Sequence, residues 1–185
     1  MLNKLIERLR GSLSTLLYFI NTLFWFVPVL LLGLIKLLLP FKGGRRLCNT
    51  LLDGCATHWI GFNNLIQKTI INTPFDVVGV DKGRRNEWYM VIANHQSWVD
   101  ILVLQRIFNQ KIPFLKFFLK KELIWVPFLG LAWWALDFPF MRRYSRKFLE
   151  KHPHLRGKDI ETTRKACAKF RHIPVSVMHF VEGTR

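Results

Sequence analysis

The sequence predicts an α/β domain preceded by an N-terminal membrane-embedded helix or helical hairpin. Two observations carry this. Residues 11–35 contain no charged side chain; at about 1.5 Å per residue, such a helix exceeds a bilayer core of roughly 30 Å. Farther along, short apolar runs suited to strands alternate with turns and a helix, the order of an α/β unit. Composition sets the bounds. The 185 residues suit one domain with a real core. Half are hydrophobic and 14% aromatic, which excludes a disordered chain. A formal charge of +16 implies an anionic partner: nucleic acid, an anionic membrane surface or a phosphorylated substrate. Cys48, Cys55 and Cys167 form no Cys-x-x-Cys pair, a pattern of reduced thiols rather than a disulfide framework or zinc site.

In chain order, residues 1–10 are polar and basic (Lys4, Arg8, Arg10). The apolar run that follows is too long for a signal peptide and lacks a small-residue cleavage site. Asn21 and Thr22 lie inside it, Pro28 interrupts it, and apolar character resumes past Lys36. A single kinked transmembrane helix fits. A hairpin near 12–26 and 28–40, dipping into one leaflet, is the favoured expectation, and a hairpin buried in a protein core is the plainer alternative. Lys42, Arg45 and Arg46 balance the basic residues before the run, so both ends suit the cytoplasmic face.

Residues 43–70 read as helical, with Trp59, Ile60, Leu65 and Ile66 as apolar contacts. Residues 75–80 read as a short strand, 81–83 as a turn, 88–93 as a buried strand and 101–108 as a helix. Residues 112–141 hold nine aromatics and Lys116, Lys120 and Lys121. That mixture suits a headgroup-level surface, a groove for an acyl chain, or a core with lysines pointing out. A basic cluster follows, from Arg142 to Lys158. Arg143 comes just after a strand-like 138–141, where a guanidinium can clamp a phosphate, although most of the cluster suits a solvated face. Residues 159–170 read as an amphipathic helix and 174–181 as a buried strand, which leads to Glu182, Gly183, Thr184 and Arg185.

The central stretch is Asn94-His95-Gln96-Ser97-Trp98-Val99-Asp100. On one helix, five residues turn through about 140°, so His95 and Asp100 would diverge. With His95 in a loop and Asp100 in the first helical turn, the two can meet. Asp100 then orients the imidazole, leaving its other nitrogen to take a proton from a substrate hydroxyl. A capping box fits too: Ser97 caps, and Asp100 binds a backbone N–H.

This stretch resembles motif I of the glycerolipid acyltransferases. Phe180-Val181-Glu182-Gly183-Thr184-Arg185 resembles their motif III. Residues 120–130 (KKELIWVPFLG) resemble motif II, whose later arginine aligns with Arg143. The motifs stand in the family's order over roughly residues 75–185, and the nearest likeness is to bacterial 1-acyl-sn-glycerol-3-phosphate acyltransferases. The resemblance implies a mixed sheet flanked by helices. It makes residues 1–42 a membrane-anchoring segment and 43–185 an acyltransferase domain. It implies acyl transfer from acyl-CoA or acyl carrier protein to a lysophospholipid hydroxyl. His95 would be the general base and Asp100 its orienting partner. Arg143 and Arg185 would hold the phosphate, with Glu182, Gly183 and Thr184 around it. No metal or resident cofactor is implied. Membrane lipids are the expected partners, nucleic acid is not, and the expected location is the cytoplasmic side of a bacterial inner membrane. The alternatives are another acceptor on the same fold, or a non-enzymatic basic module binding a membrane surface or nucleic acid. The family pattern usually has a glycine near position 137 and an acidic residue just before the arginine, whereas this chain has Asp137 and Arg142. A fourth motif should follow motif III, so the chain is expected to be the first part of a longer protein.

Overall fold

The computed structural model describes residues 2–72, 74–142, 144, 146–155 and 157–181. Helix α1, Leu2–Leu38, takes the whole apolar segment in 37 residues, with Pro28 inside it. The expected hairpin at 12–26 and 28–40 therefore does not form. Proline removes one backbone hydrogen bond, but packing compensates: its neighbour Val29 is fully buried in the core. The chain turns only after Leu38, where Pro40 blocks further helix. Helix α2, Lys42–Ile66, then returns along α1 and runs on in π-helical turns over Gln67–Ile71. The hairpin is thus α1 against α2. The Asn21 amide closes it, donating to the Trp59 carbonyl at 3.0 Å and to Asn63 Oδ1 at 2.9 Å. On α1, Leu13, Leu16, Ile20, Phe24, Val27 and Leu31 recur every three or four residues and are exposed, an apolar stripe facing away from the protein. Leu47, Leu51, Phe62 and Leu65 of α2 are exposed as well.

Strand β1, Tyr89–Ala93, and helix α3, Val99–Phe108, form where the sequence places them. Next come β2, Leu115–Phe117, and β3, Leu119–Lys120. Helix α4, Leu129–Ala135, is followed by β4, Phe140–Met141. Helices α5, Arg146–Lys151, and α6, Lys158–Lys169, lead to β5, Ser176–Phe180. The sheet order is β1-β5-β2, and β3 pairs with β4. All these pairings are parallel, so the expected mixed sheet is not present among the described residues. The expected strand at 75–80 is also absent. Val78 is 88% exposed and Gly79 has φ +82°. No described strand pairs with this segment, and an apolar run without a ladder partner gains nothing from being extended.

Val29 of α1, Leu52 and Ala56 of α2, Phe117, Ala135, Phe138 and Met178 share one buried cluster. The hairpin and the sheet therefore have a common core. Residues 112–141 are mostly part of it, with Trp133 and Trp134 packed on its edge. Lys116 is buried rather than at a headgroup surface, whereas Trp125 is 85% exposed. The opposite sheet face carries exposed Met90 and Ile92 and an open cavity of about 740 Å³ lined by Trp88, Phe118, Phe170 and Val177.

The turn into α4 is strained. Phe128 adopts φ +61° and ψ −52°, and the Leu129 N–H donates to the Pro127 carbonyl at 2.6 Å. That is a γ-turn, rare for a bulky residue. It brings the Gly130 backbone against the carbonyl of Ile124, where any Cβ would collide. Gly130→Ala is expected to destabilise by about 2 kcal/mol, read as a lower thermal unfolding midpoint. Gly61→Ala, with nothing within 4 Å, is the control and should be neutral or mildly stabilising.

Candidate active site

The loop after β1 leaves the carboxyl end of a parallel sheet, where open α/β sheets place their ligands. The hydrogen bond from Val181 N–H to the Ala93 carbonyl, 3.2 Å, extends the β1–β5 ladder to this edge. Asp100 lies in the first turn of α3, and its Oδ2 gathers the loop. It accepts the N–H of Gln96 at 2.6 Å and of Ser97 at 2.8 Å, and His95 Nδ1 lies 3.2 Å away. Ser97 Oγ in turn accepts the Val99 N–H at 3.2 Å. Asp100 thus reaches back to the Ser97 N–H as in a capping box and meets the imidazole with the same oxygen. The two sequence readings are both present.

The electrostatics set the tautomer. The Ser97 N–H, followed by the Gln96 N–H and His95, holds the Asp100 carboxyl below its ordinary value, against the opposing effect of burial. An ionised carboxylate only accepts, so the proton between the two lies on His95 Nδ1, and in the neutral ring that tautomer puts the lone pair on Nε2. The ring is also held by packing: it stacks on Phe180 with centroids 4.1 Å apart and planes 23° apart. Phe180 stacks on Phe117 at 6.0 Å, and Phe117 on Phe138 at 6.3 Å. A row of rings therefore ties the site to the core. The His95 side chain is 23% exposed and that of Asp100 is 28%, so a ligand can reach the imidazole.

Of the residues singled out from sequence, the structure brings His95 and Asp100 together. Arg143, Glu182, Gly183, Thr184 and Arg185 lie outside the described residues. Beside Arg143, the Arg142 guanidinium sits 6.0 Å over the Tyr144 ring. Sequence reasoning missed Phe180 as the imidazole's platform. Its register opposite Ala93 explains the placement, but register between distant strands is not written in either strand alone.

The Acyltransferase family profile matches residues 74–185. A Saccharomyces cerevisiae protein named 1-acyl-sn-glycerol-3-phosphate acyltransferase is 30% identical over 150 residues, covering 81% of this chain and 43% of its own length. An uncharacterized acyltransferase of Schizosaccharomyces pombe is 31% identical over 120 residues, covering 65% of this chain and 38% of its own. The chain thus spans about two fifths of the length of these curated relatives. No solved structure matches it.

Asp100→Ala leaves two N–H groups and His95 without their acceptor, and should cost about 1–2 kcal/mol in chemical denaturation. Because the folded carboxyl is held low, this contribution is present above the unfolded value near 3.9. It fades as pH falls through the lower folded value. The stability gap between wild type and Asp100→Ala should therefore be constant at neutral pH and close only in acid. A gap that closes near pH 6 would sink the assignment.

Proposed function

This chain belongs to the acyltransferase family, and on that premise we propose that it moves a fatty acyl group from acyl-CoA or acyl carrier protein to the free hydroxyl of a lysophospholipid. The acceptor we favour is 1-acyl-sn-glycerol-3-phosphate, giving phosphatidate. The observation that carries the reading is the His95–Asp100 pair, which engages Nδ1 and leaves Nε2 with no hydrogen bond among the described residues. In the proposed reaction, Nε2 takes the hydroxyl proton as the oxygen attacks the thioester carbonyl. The imidazolium is stabilised by Asp100. The tetrahedral adduct collapses, the C–S bond breaks, and the leaving thiolate receives the proton. An ester bond replaces the thioester bond, and His95 returns to its starting state. The substrate oxygen is the nucleophile, so none is required of the protein. Arg143 and Arg185 are the proposed clamp on the acceptor phosphate, with Glu182, Gly183 and Thr184 shaping its pocket.

The membrane side of the proposal rests on α1. It is long and apolar enough to cross a bilayer, yet only 17% of its most apolar window is buried inside the protein. A core helix of a soluble protein would be mostly covered. Its other face is packed on α2 and α4, with the Asn21–Asn63 pair between the helices. A full crossing would drag these polar groups and the attached domain into hydrocarbon. We place α1 and the exposed stripe of α2 in one leaflet, at the cytoplasmic face, with the bacterial inner membrane as the membrane proposed from resemblance. The charge of +16 suits anionic lipid, a phosphate-bearing acceptor and a polyanionic donor together.

The decisive assay is transfer of radiolabelled acyl groups from both donors to lysophosphatidate, glycerol 3-phosphate and a lysophosphatidylcholine. His95→Ala should lose about 10²–10⁴-fold in rate. Arg143→Ala should raise KM for the phosphate monoesters, lysophosphatidate and glycerol 3-phosphate, more than for the choline phosphodiester. An unchanged His95→Ala rate would remove the base. Ile20→Glu with Phe24→Glu should abolish flotation with anionic vesicles while leaving the fold intact; retained flotation would move the membrane contact elsewhere.

A further inference from the structure

The buried charges this reaction does not use converge on Asp137. It follows α4 at φ +56°, in the left-handed region that glycine adopts freely and aspartate tolerates. Here a carboxylate takes the position and is engaged. Its Oδ2 accepts from Lys36 Nζ of α1 at 2.9 Å, and Lys169 Nζ of α6 stands 3.6 Å from Oδ1. The same Lys36 ammonium donates to the Ala135 carbonyl at 2.8 Å, and Lys116 Nζ of β2 donates to the Leu136 carbonyl at 2.8 Å. Two ammonium groups thus cap the carboxyl end of α4. Lys116 is also 4.0 Å from Asp53 of α2.

The contact is close and mostly dry. The Lys36 and Asp137 side chains are 13% and 24% exposed. Gly33, one turn before Lys36, lies so near Ala135 that an added Cβ would stand 2.6 Å from the alanine Cβ. Burial pushes the Asp137 carboxyl up, but Lys36 first, then Lys116 and Lys169, reverse this and hold it below its ordinary value. Burial pushes Asp53 up, and repulsion from Asp137 adds to it. The charges are therefore arranged for Asp137 to stay ionised. Three residues on, Phe140 opens β4, which pairs with β3 and runs directly into Arg142 and Arg143.

We propose that the Lys36–Asp137 pair is a latch through which the membrane helix α1 sets the position of β4, the strand that leads in sequence to Arg143. Lys36 and Asp137 are positioning residues for the phosphate-bearing acceptor, and this rests on the proposed role of Arg143. Asp137 is then no reader of the head group itself, because its carboxylate is already spent on the lysines.

The test uses Lys36→Met, Asp137→Gly, the double variant and Lys36→Arg. Asp137→Gly suits the positive φ, so it removes the carboxylate without straining the turn. Each neutralising single variant should raise acceptor KM roughly 10-fold, as members of one ion-pair network couple, with kcat and donor KM changed less than about two-fold. The double variant should be no worse than the worse single one, and Lys36→Arg should stay near wild type. Amide hydrogen exchange over 138–142 should quicken in both singles. Multiplicative effects, an unchanged acceptor KM, or a loss confined to kcat would overturn the latch. If wild type transfers no acyl group, the functional reading fails separately. Exchange then decides: quickening in both singles upholds the coupling, and unchanged exchange overturns it.

Discussion

One carboxylate oxygen holds the candidate catalytic corner of this molecule. Asp100 Oδ2 collects the N–H groups of Gln96 and Ser97 and faces the Nδ1 of His95. A strand end, a helix start and an imidazole are thereby fixed by one atom. The backbone bonds do two things at once. They start α3, and they keep the carboxylate ionised, so that it can act only as acceptor toward His95. Helix capping and imidazole orientation are one device here, and the helix cannot lose its cap without the imidazole losing its Asp100 partner.

That device was legible in the sequence because it is local. His95 and Asp100 are five residues apart, and helix geometry alone says which arrangement lets them meet. The strands at 89–93 and 176–180 and the helices α3 and α6 were legible for the same reason: each has its own apolar pattern. What was not legible is whatever depends on a distant partner. Residues 75–80 have strand composition but no ladder to join. Pro28 has the chemistry of a break, but a fully packed neighbour in Val29 outweighs it. Lys116 looked like a surface cation. A carbonyl at the end of α4 and Asp53 of α2 make its burial tolerable, and neither is near it in sequence.

The strand order adds a further consequence. β5 is the last described strand, yet it lies between β1 and β2. The first two strands cannot form their ladders until β5 inserts, and such long-range closure is entropically costly and slow. Phe180 arrives with β5, so the platform under His95 exists only once the sheet is complete. The imidazole is oriented by local contacts and sterically fixed by the most distant one. The exposed Met90 and Ile92 on the far face show that this sheet carries apolar surface on both sides, as buried parallel sheets do.

The same logic explains why α1 cannot be treated as a detachable anchor. Its Val29 sits in the core with Met178 of β5, Gly33 touches α4 and Lys36 ends on Asp137. On the proposed membrane placement, α1 thus meets lipid on one face and the core, α4 and Asp137 on the other. Placing aspartate at a left-handed position costs of order 1 kcal/mol in backbone strain. A glycine there would avoid that cost but could not answer Lys36, whose ammonium would be left with one carbonyl in a largely buried setting. Aspartate at residue 137 is therefore tied to Lys36, on α1, and residues 112–141 read by themselves could not have connected the two.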